Sequence, residues 1–323
     1  MSTWLWIMAS GSVLIFAQYG LRCAQAVRLP QLRKHAWSTA FLALLFSAVF
    51  GSFLARVGYA LLMQELDFEY DGIAALERLL DFEINHLSFL CGALGVCLGV
   101  LLANRLTRKD TVMDGMDAFA PFGALLVFLF RMGECFFGSY GAGTSLPEEH
   151  PLSFFPFALE SSIDGGFSSW YWAVCVLSAV FALVWSVICF FMLRSRGRRG
   201  WNFTLTLFFL ALPQIFCESL RTEGMFWLFV HVEQLLCAVI LAAVLLFWIL
   251  KSGKETAPVR RWEPMLLFLL CIGLLVLTEY AIDGKIIDLS QTVCYVLMCL
   301  FLAVIGFSGI VAAGRYNAEK QQS

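Results

Sequence analysis

Nine long apolar runs, at about residues 4–26, 37–63, 87–105, 115–137, 170–193, 201–220, 226–250, 265–282 and 292–314, alternate with short polar segments along the chain. A helix needs about 20 apolar residues to cross about 30 Å of hydrocarbon, so each run predicts one membrane span. The expected fold class is an all-α, polytopic integral membrane protein with about nine transmembrane helices.

The polar segments alternate in sign. Arg22 to Lys34, Arg105 to Lys109, Arg194 to Arg199, Lys251 to Arg261 and the tail with Arg315 and Lys320 are basic, whereas 64–86, 138–169, 221–225 and 283–291 are acidic or neutral. The positive-inside rule then puts the N-terminus outside and the C-terminus inside. No Lys or Arg precedes the first run, which lacks the charged n-region of a signal peptide and is expected to remain as the first span. Of the outer segments, 64–86 reads as a short amphipathic helix, with Ile73, Leu76, Leu79, Leu80 and Phe82 near one face. Residues 138–169, rich in Gly, Pro and aromatics, read as a folded loop on the membrane surface.

Composition agrees: 60% of residues are hydrophobic, 14% are charged and the mean hydropathy is +0.79. That excludes an ordinary soluble domain, and a net charge of −2 gives no footprint for nucleic acid. The 11 cysteines show no CxxC or Cys/His metal spacing, so they read as small packing residues, Cys175 among them, with no metal or cofactor expected.

Against this background three arginines stand out. Arg56, Arg131 and Arg221 fall inside or at the edge of apolar runs. A charge at the centre of a membrane helix costs about 2.5–3.5 kcal/mol on insertion scales, which makes such residues functional candidates. At 1.5 Å rise per residue, Arg131 lies about 25 Å along span 4 from Asp114, near the outer face. Arg56 approaches the outer end of span 2, Glu218 and Arg221 close span 6, His231, Glu233 and Gln234 open span 7, and His86 and Ser88 begin span 3. These groups converge in the outer leaflet, while the inner halves of the spans are almost wholly apolar. Arg131 with Glu134, and Glu218 with Arg221, are spaced i,i+3, and Gln214 is four before Glu218, so each set can share a helix face. Pro213 is expected to kink span 6.

The bland readings are internal ion pairs that staple the bundle, interfacial packing for His86 and His231, and offset of the helix dipole for Asp114 and Asp117. The sharper reading is an anion site, because guanidinium groups suit bidentate capture of phosphate, and the phosphates at this depth belong to lipid head groups.

Four motifs in chain order carry a resemblance. They are Ala55-Arg56-Val57-Gly58-Tyr59; Asp117, Ala120 and Pro121 followed by Arg131-Met132-Gly133-Glu134; Glu218-Ser219-Leu220-Arg221; and Glu233-Gln234-Leu235-Leu236-Cys237. Together, over about 37–250, they resemble the bacterial prolipoprotein diacylglyceryl transferase family. The resemblance implies transfer of a diacylglyceryl group from phosphatidylglycerol to the lipobox cysteine thiol of a preprolipoprotein, with release of glycerol 1-phosphate, in the bacterial cytoplasmic membrane. Its partners would be phosphatidylglycerol, the lipobox peptide and membrane lipids. Arg131 and Arg221 would hold the phosphate with Arg56 in support, and Tyr59, Gly133, His231 and Gln234 would complete the substrate-binding set. Glu218 would orient Arg221 or act as base, with Glu134 or His86 sharing the acid–base work.

The chain departs from the family pattern at several points. Leu90 stands at the family's histidine, Glu134 at its asparagine, Phe137-Gly138-Ser139 at its N-G-E, and Gln214 at an arginine; Tyr19 is the nearest counterpart of its first-span tyrosine. The expected organisation is a seven-span core over 1–250, with 64–86 and 138–169 on its outer face, and an additional hairpin and tail over 251–323. Two other functions stay open: a non-catalytic lipid or lipopeptide binder on the same scaffold, and a transporter. The transporter is disfavoured because the polar groups stop at mid-depth and no internal repeat is visible.

Overall fold

The computed structural model describes residues 2–26, 30–63, 86–136, 141–147, 150–162, 168–193, 197–221, 226–227, 230–252, 258–282 and 290–318. Nine long helices lie among them: α1 (Ser2–Ala24), α2 (Ala36–Leu62), α3 (Phe89–Thr107), α4 (Val112–Glu134), α5 (Val174–Met192), α6 (Trp201–Ser219), α7 (Val232–Lys251), α8 (Pro258–Ile282) and α9 (Gln291–Ala318). Eight of them are long and apolar enough to cross a membrane. The exception is α6, which is 19 residues long but carries Asn202, Gln214 and Glu218. Large apolar side chains such as Trp6, Phe41, Leu266 and Phe307 are exposed along the helices, as a lipid solvent requires. The chain is an all-α polytopic membrane protein.

Contacts divide the chain into two units. One comprises 1–193 with 221–225, and the other 194–220 with 226–323.

In the first unit α2 packs on α3 and α1, α1 on α4, α3 on α4, and α4 on α5. The α2–α3 crossing depends on small residues. A Cβ on Gly95 would lie 2.3 Å from the carbonyl oxygen of Phe50, and one on Gly99 would lie 2.5 Å from the backbone nitrogen of Ser47. Close approach of this kind replaces the hydrophobic drive that lipid removes. Ser47 adds a hydrogen bond from its Oγ to the Val96 carbonyl at 3.2 Å. At the start of α3, the Ser88 N–H donates to Ala55 O (3.0 Å) and its side chain caps the helix by accepting from Cys91 N (3.3 Å). At the other end Tyr19 is fully buried and donates to Asn104 Oδ1 at 3.2 Å. It lies beside the carbonyl of Gly115, 16 residues and so about 24 Å along α4 from Arg131.

The segment read as a surface loop contains regular structure. Strands β1 (Ala142–Ser145), β2 (Ala158–Ser162) and β3 (Ser168–Ala173) form an antiparallel sheet in the order β1-β3-β2. The apolar run expected to begin span 5 at residue 170 therefore starts as a strand, and the helix begins at Val174. Similarly, β4 (Phe226–Trp227) and β5 (Val230–His231) pair as a short hairpin, so α7 begins six residues later than its apolar run. Aromatic and β-branched runs satisfy strand and helix patterns alike, which explains both shifts. The amphipathic helix expected over 64–86 lies outside the described residues, apart from His86.

In the second unit α6, α7 and α9 pack together, and α8 packs on α7 and α9. Trp248 is fully buried at the centre, donating from Nε1 to Thr204 Oγ1 at 3.0 Å and lying 5.4 Å from the Phe208 ring.

Candidate functional site

The last turn of α4 presents Arg131 and Glu134 at i,i+3, on one face of the helix. Arg131 Nη1 donates to Glu134 Oε1 at 2.6 Å, and Arg221 Nη2 donates to Glu134 Oε2, also at 2.6 Å. One carboxylate therefore binds two guanidinium groups, one on each oxygen. Arg131 is fully buried, and Glu134 and Arg221 are each about 7% exposed. Both ion pairs are held in a buried setting.

Backbone and side chains fix both arginines. The Arg131 guanidinium carbon lies 3.6 Å from the ring centroid of Phe89, the first residue of α3. Arg221 lies two residues beyond the end of α6 and forms an isolated antiparallel bridge with Gly143 in β1. The helix ends at Ser219, so Arg221 lies just beyond it. Next to Glu134, Cys135 forms a disulfide with Cys175 in the first turn of α5. This corrects the reading of Cys175 as a packing thiol and ties the end of α4 to the start of α5. Gly141 sits against the bridge, where a Cβ would lie 2.7 Å from that of Cys175.

A second arginine arrangement in the same unit links α2 with the segment before α3. Arg56 is buried, with its guanidinium 5.8 Å from the Tyr59 ring centroid, and Tyr59 stacks on His86 at 5.3 Å. Gly133, the remaining expected site residue of this unit, faces α1: a Cβ there would lie 2.3 Å from Met8 Sδ. Leu90 is buried in the first turn of α3.

The second unit holds its own polar cluster. Gln214 donates from Nε2 to Glu218 Oε1 within α6, as the i,i+4 spacing predicts. Gln234 Nε2 donates to the Ile215 carbonyl of α6 at 3.1 Å and to Glu279 Oε1 of α8 at 2.7 Å, while its Oε1 accepts from the His231 N–H at 3.3 Å. His231 and Glu233 are buried beside it at the start of α7.

The structure thus brings Arg131, Glu134 and Arg221 into direct contact, groups Arg56 with Tyr59 and His86, and places Glu218, His231 and Gln234 in the second unit. Sequence reasoning passed over Phe89, the Cys135–Cys175 bond and Glu279. Of these, Glu279 carried a readable signal, an acid within an apolar span.

A family model described as prolipoprotein diacylglyceryl transferase matches residues 4–250. No curated protein matches the chain. The matched range ends before α8, so α8 and α9 lie outside it.

Proposed function

The chain belongs to the prolipoprotein diacylglyceryl transferase family, a family of membrane transferases of lipoprotein biosynthesis, and we propose that its Arg131–Glu134–Arg221 centre holds the phosphate of phosphatidylglycerol during transfer. In this reaction the thiolate of a lipobox cysteine attacks the glycerol carbon that carries the phosphate ester. A carbon–sulfur bond forms, the carbon–oxygen bond breaks, and its electron pair leaves on the oxygen of glycerol 1-phosphate. The phosphate group goes from one negative charge to two. Fixed positive charge therefore binds the departing phosphate more strongly than the intact lipid, which is the condition for lowering the barrier.

The observation that carries this reading is the shared carboxylate. Each Glu134 oxygen accepts from one guanidinium group, so this acid aims both Arg131 and Arg221, whose positive charge would meet the lipid phosphate. Arg56 adds a further positive charge. The thiol proton passes to a base, for which His86, stacked on Tyr59, is one candidate in the same unit. Glu218, three residues before Arg221 in the chain, is the alternative base. Tyr59 and Gly133 are the further substrate-binding residues proposed in this unit. The basic loops support an orientation with the N-terminus outside and the C-terminus inside a bacterial cytoplasmic membrane.

Purified protein in phosphatidylglycerol nanodiscs with a lipobox peptide tests the reading. A peptide mass gain of one diacylglyceryl group, with an equal release of glycerol phosphate, is the expected result. The second reading, a lipid or lipopeptide binder without turnover, is favoured by Leu90 in the position of the family histidine. It predicts bound phosphatidylglycerol with neither product, and that outcome would overturn the transferase assignment.

A further inference from the structure

The side-chain amide of Gln234 joins three helices at one level. Its Nε2 binds the Ile215 carbonyl of α6 and the Glu279 carboxylate of α8, and its Oε1 holds the N–H of His231 at the start of α7. Ile215 lies one residue after Gln214 and three before Glu218, and α6 continues into Arg221 two residues after its end. The bond to Glu279 is 2.7 Å long. Both helices outside the family match reach this same end of α6. In addition to Glu279 on α8, Tyr295 of α9 packs its ring edge-on to Phe216 at 6.1 Å, and Ser219 Oγ lies 3.5 Å from Met298 Sδ of α9.

A carboxylate within an apolar span is costly to insert, so its placement at this contact asks for a role beyond anchoring a hairpin. We propose that Glu279 is a positioning residue for transfer: by holding the Gln234 amide, it fixes the last turns of α6, which carry Glu218 and lead into Arg221. The C-terminal hairpin is on this account a working part of the transferase. The role rests on the transferase reading given above.

The test compares wild type, Glu279→Ala, Glu279→Gln, Gln234→Ala and the double variant Glu279→Ala/Gln234→Ala, all full-length in phosphatidylglycerol nanodiscs. Transfer to a lipobox peptide gives kcat and KM, and thermal unfolding is followed in parallel. Glu279→Ala is expected to lower kcat on the order of 10- to 100-fold, the cost of misplaced reacting groups, with KM for the peptide little changed. Glu279→Gln keeps an acceptor oxygen for Gln234 and is expected to restore most of kcat. The double variant is expected to be no slower than Gln234→Ala, because Glu279 acts through that amide. Where the alanine variant does not fold, Glu279→Leu, suited to an apolar helix, takes its place with the same expected loss. Wild-type kcat in Glu279→Ala, no rescue by Gln, or additive losses in the double variant would overturn this role while leaving the transferase standing. Absence of transfer by the wild type would overturn both.

Discussion

Arg221 donates a 2.6 Å hydrogen bond to Glu134 across 87 positions of the chain. The acceptor is the carboxylate that Arg131 binds through its other oxygen, so one acid sets the direction of two guanidinium groups. Neutralising Glu134 would break a buried ion pair with each arginine. Glu134→Gln is expected to destabilise the protein by about 3–5 kcal/mol, the usual cost of breaking a buried ion pair from one side. The check is thermal unfolding in nanodiscs. Pairing it with Arg221→Met should return part of the loss, and equal melting temperatures for wild type and Glu134→Gln would contradict the account.

Arg131 combines an ion pair with a guanidinium stacked 3.6 Å from Phe89. An ammonium group matches neither geometry, so Arg131→Lys should lose transfer nearly as fully as Arg131→Ala. Phe89→Leu removes a contact worth about 2 kcal/mol when desolvated, and should reduce transfer roughly 10-fold or more while the protein still inserts. Size-exclusion profiles together with the transfer assay check both. Full activity of Arg131→Lys would show that charge alone suffices.

The Cys135–Cys175 bond closes a loop with a sequence separation of 40. On the loop-entropy scale it contributes about 4 kcal/mol, and its neighbour Glu134 is held with it. Alkylation of the unfolded protein without reductant, followed by mass spectrometry, should modify nine of the 11 cysteines. Cys135→Ser should lower both stability and transfer. Because disulfides persist in oxidising compartments, this end of α4 should lie outside the cell, as the charge pattern of the loops predicts. Modification of all 11 cysteines would contradict the bond.

At the α2–α3 crossing, Gly95 leaves no room for a side chain against the Phe50 carbonyl. Gly95→Val should force the helices apart and cost about 1–3 kcal/mol or more. Ala55, next to Arg56, and Ser88, next to Phe89, are hydrogen-bonded at one end of this crossing, so transfer should fall as well. Unchanged thermal stability of Gly95→Val would contradict the packing.

The spans and the Arg131 centre were legible because each rests on a local or one-dimensional signal. Apolar run length sets the helices, and i,i+3 spacing predicted the Arg131–Glu134 pair. What was not legible depends on contacts between distant segments. No local spacing announces that Arg221 binds Glu134, since α6 stops at Ser219 and Arg221 pairs instead with Gly143 of β1. Cys135 and Cys175 meet through the packing of α4 on α5 and the sheet between them. Ser168–Ala173 and Val230–His231 form strands inside runs whose apolar content suits a helix equally well. Glu279 announced itself as an acid in an apolar span, but its partner Gln234 could be known only from the fold.

The most direct test of the central claim is a nitrogen–phosphorus distance measurement by solid-state NMR, using protein with labelled arginine in phosphatidylglycerol bilayers. The account predicts that the guanidinium signals of Arg131 and Arg221 are dephased by the lipid phosphorus, each vanishing in its own alanine variant. Absence of dephasing in the wild type, or dephasing that persists in the double variant Arg131→Ala/Arg221→Ala, would contradict it.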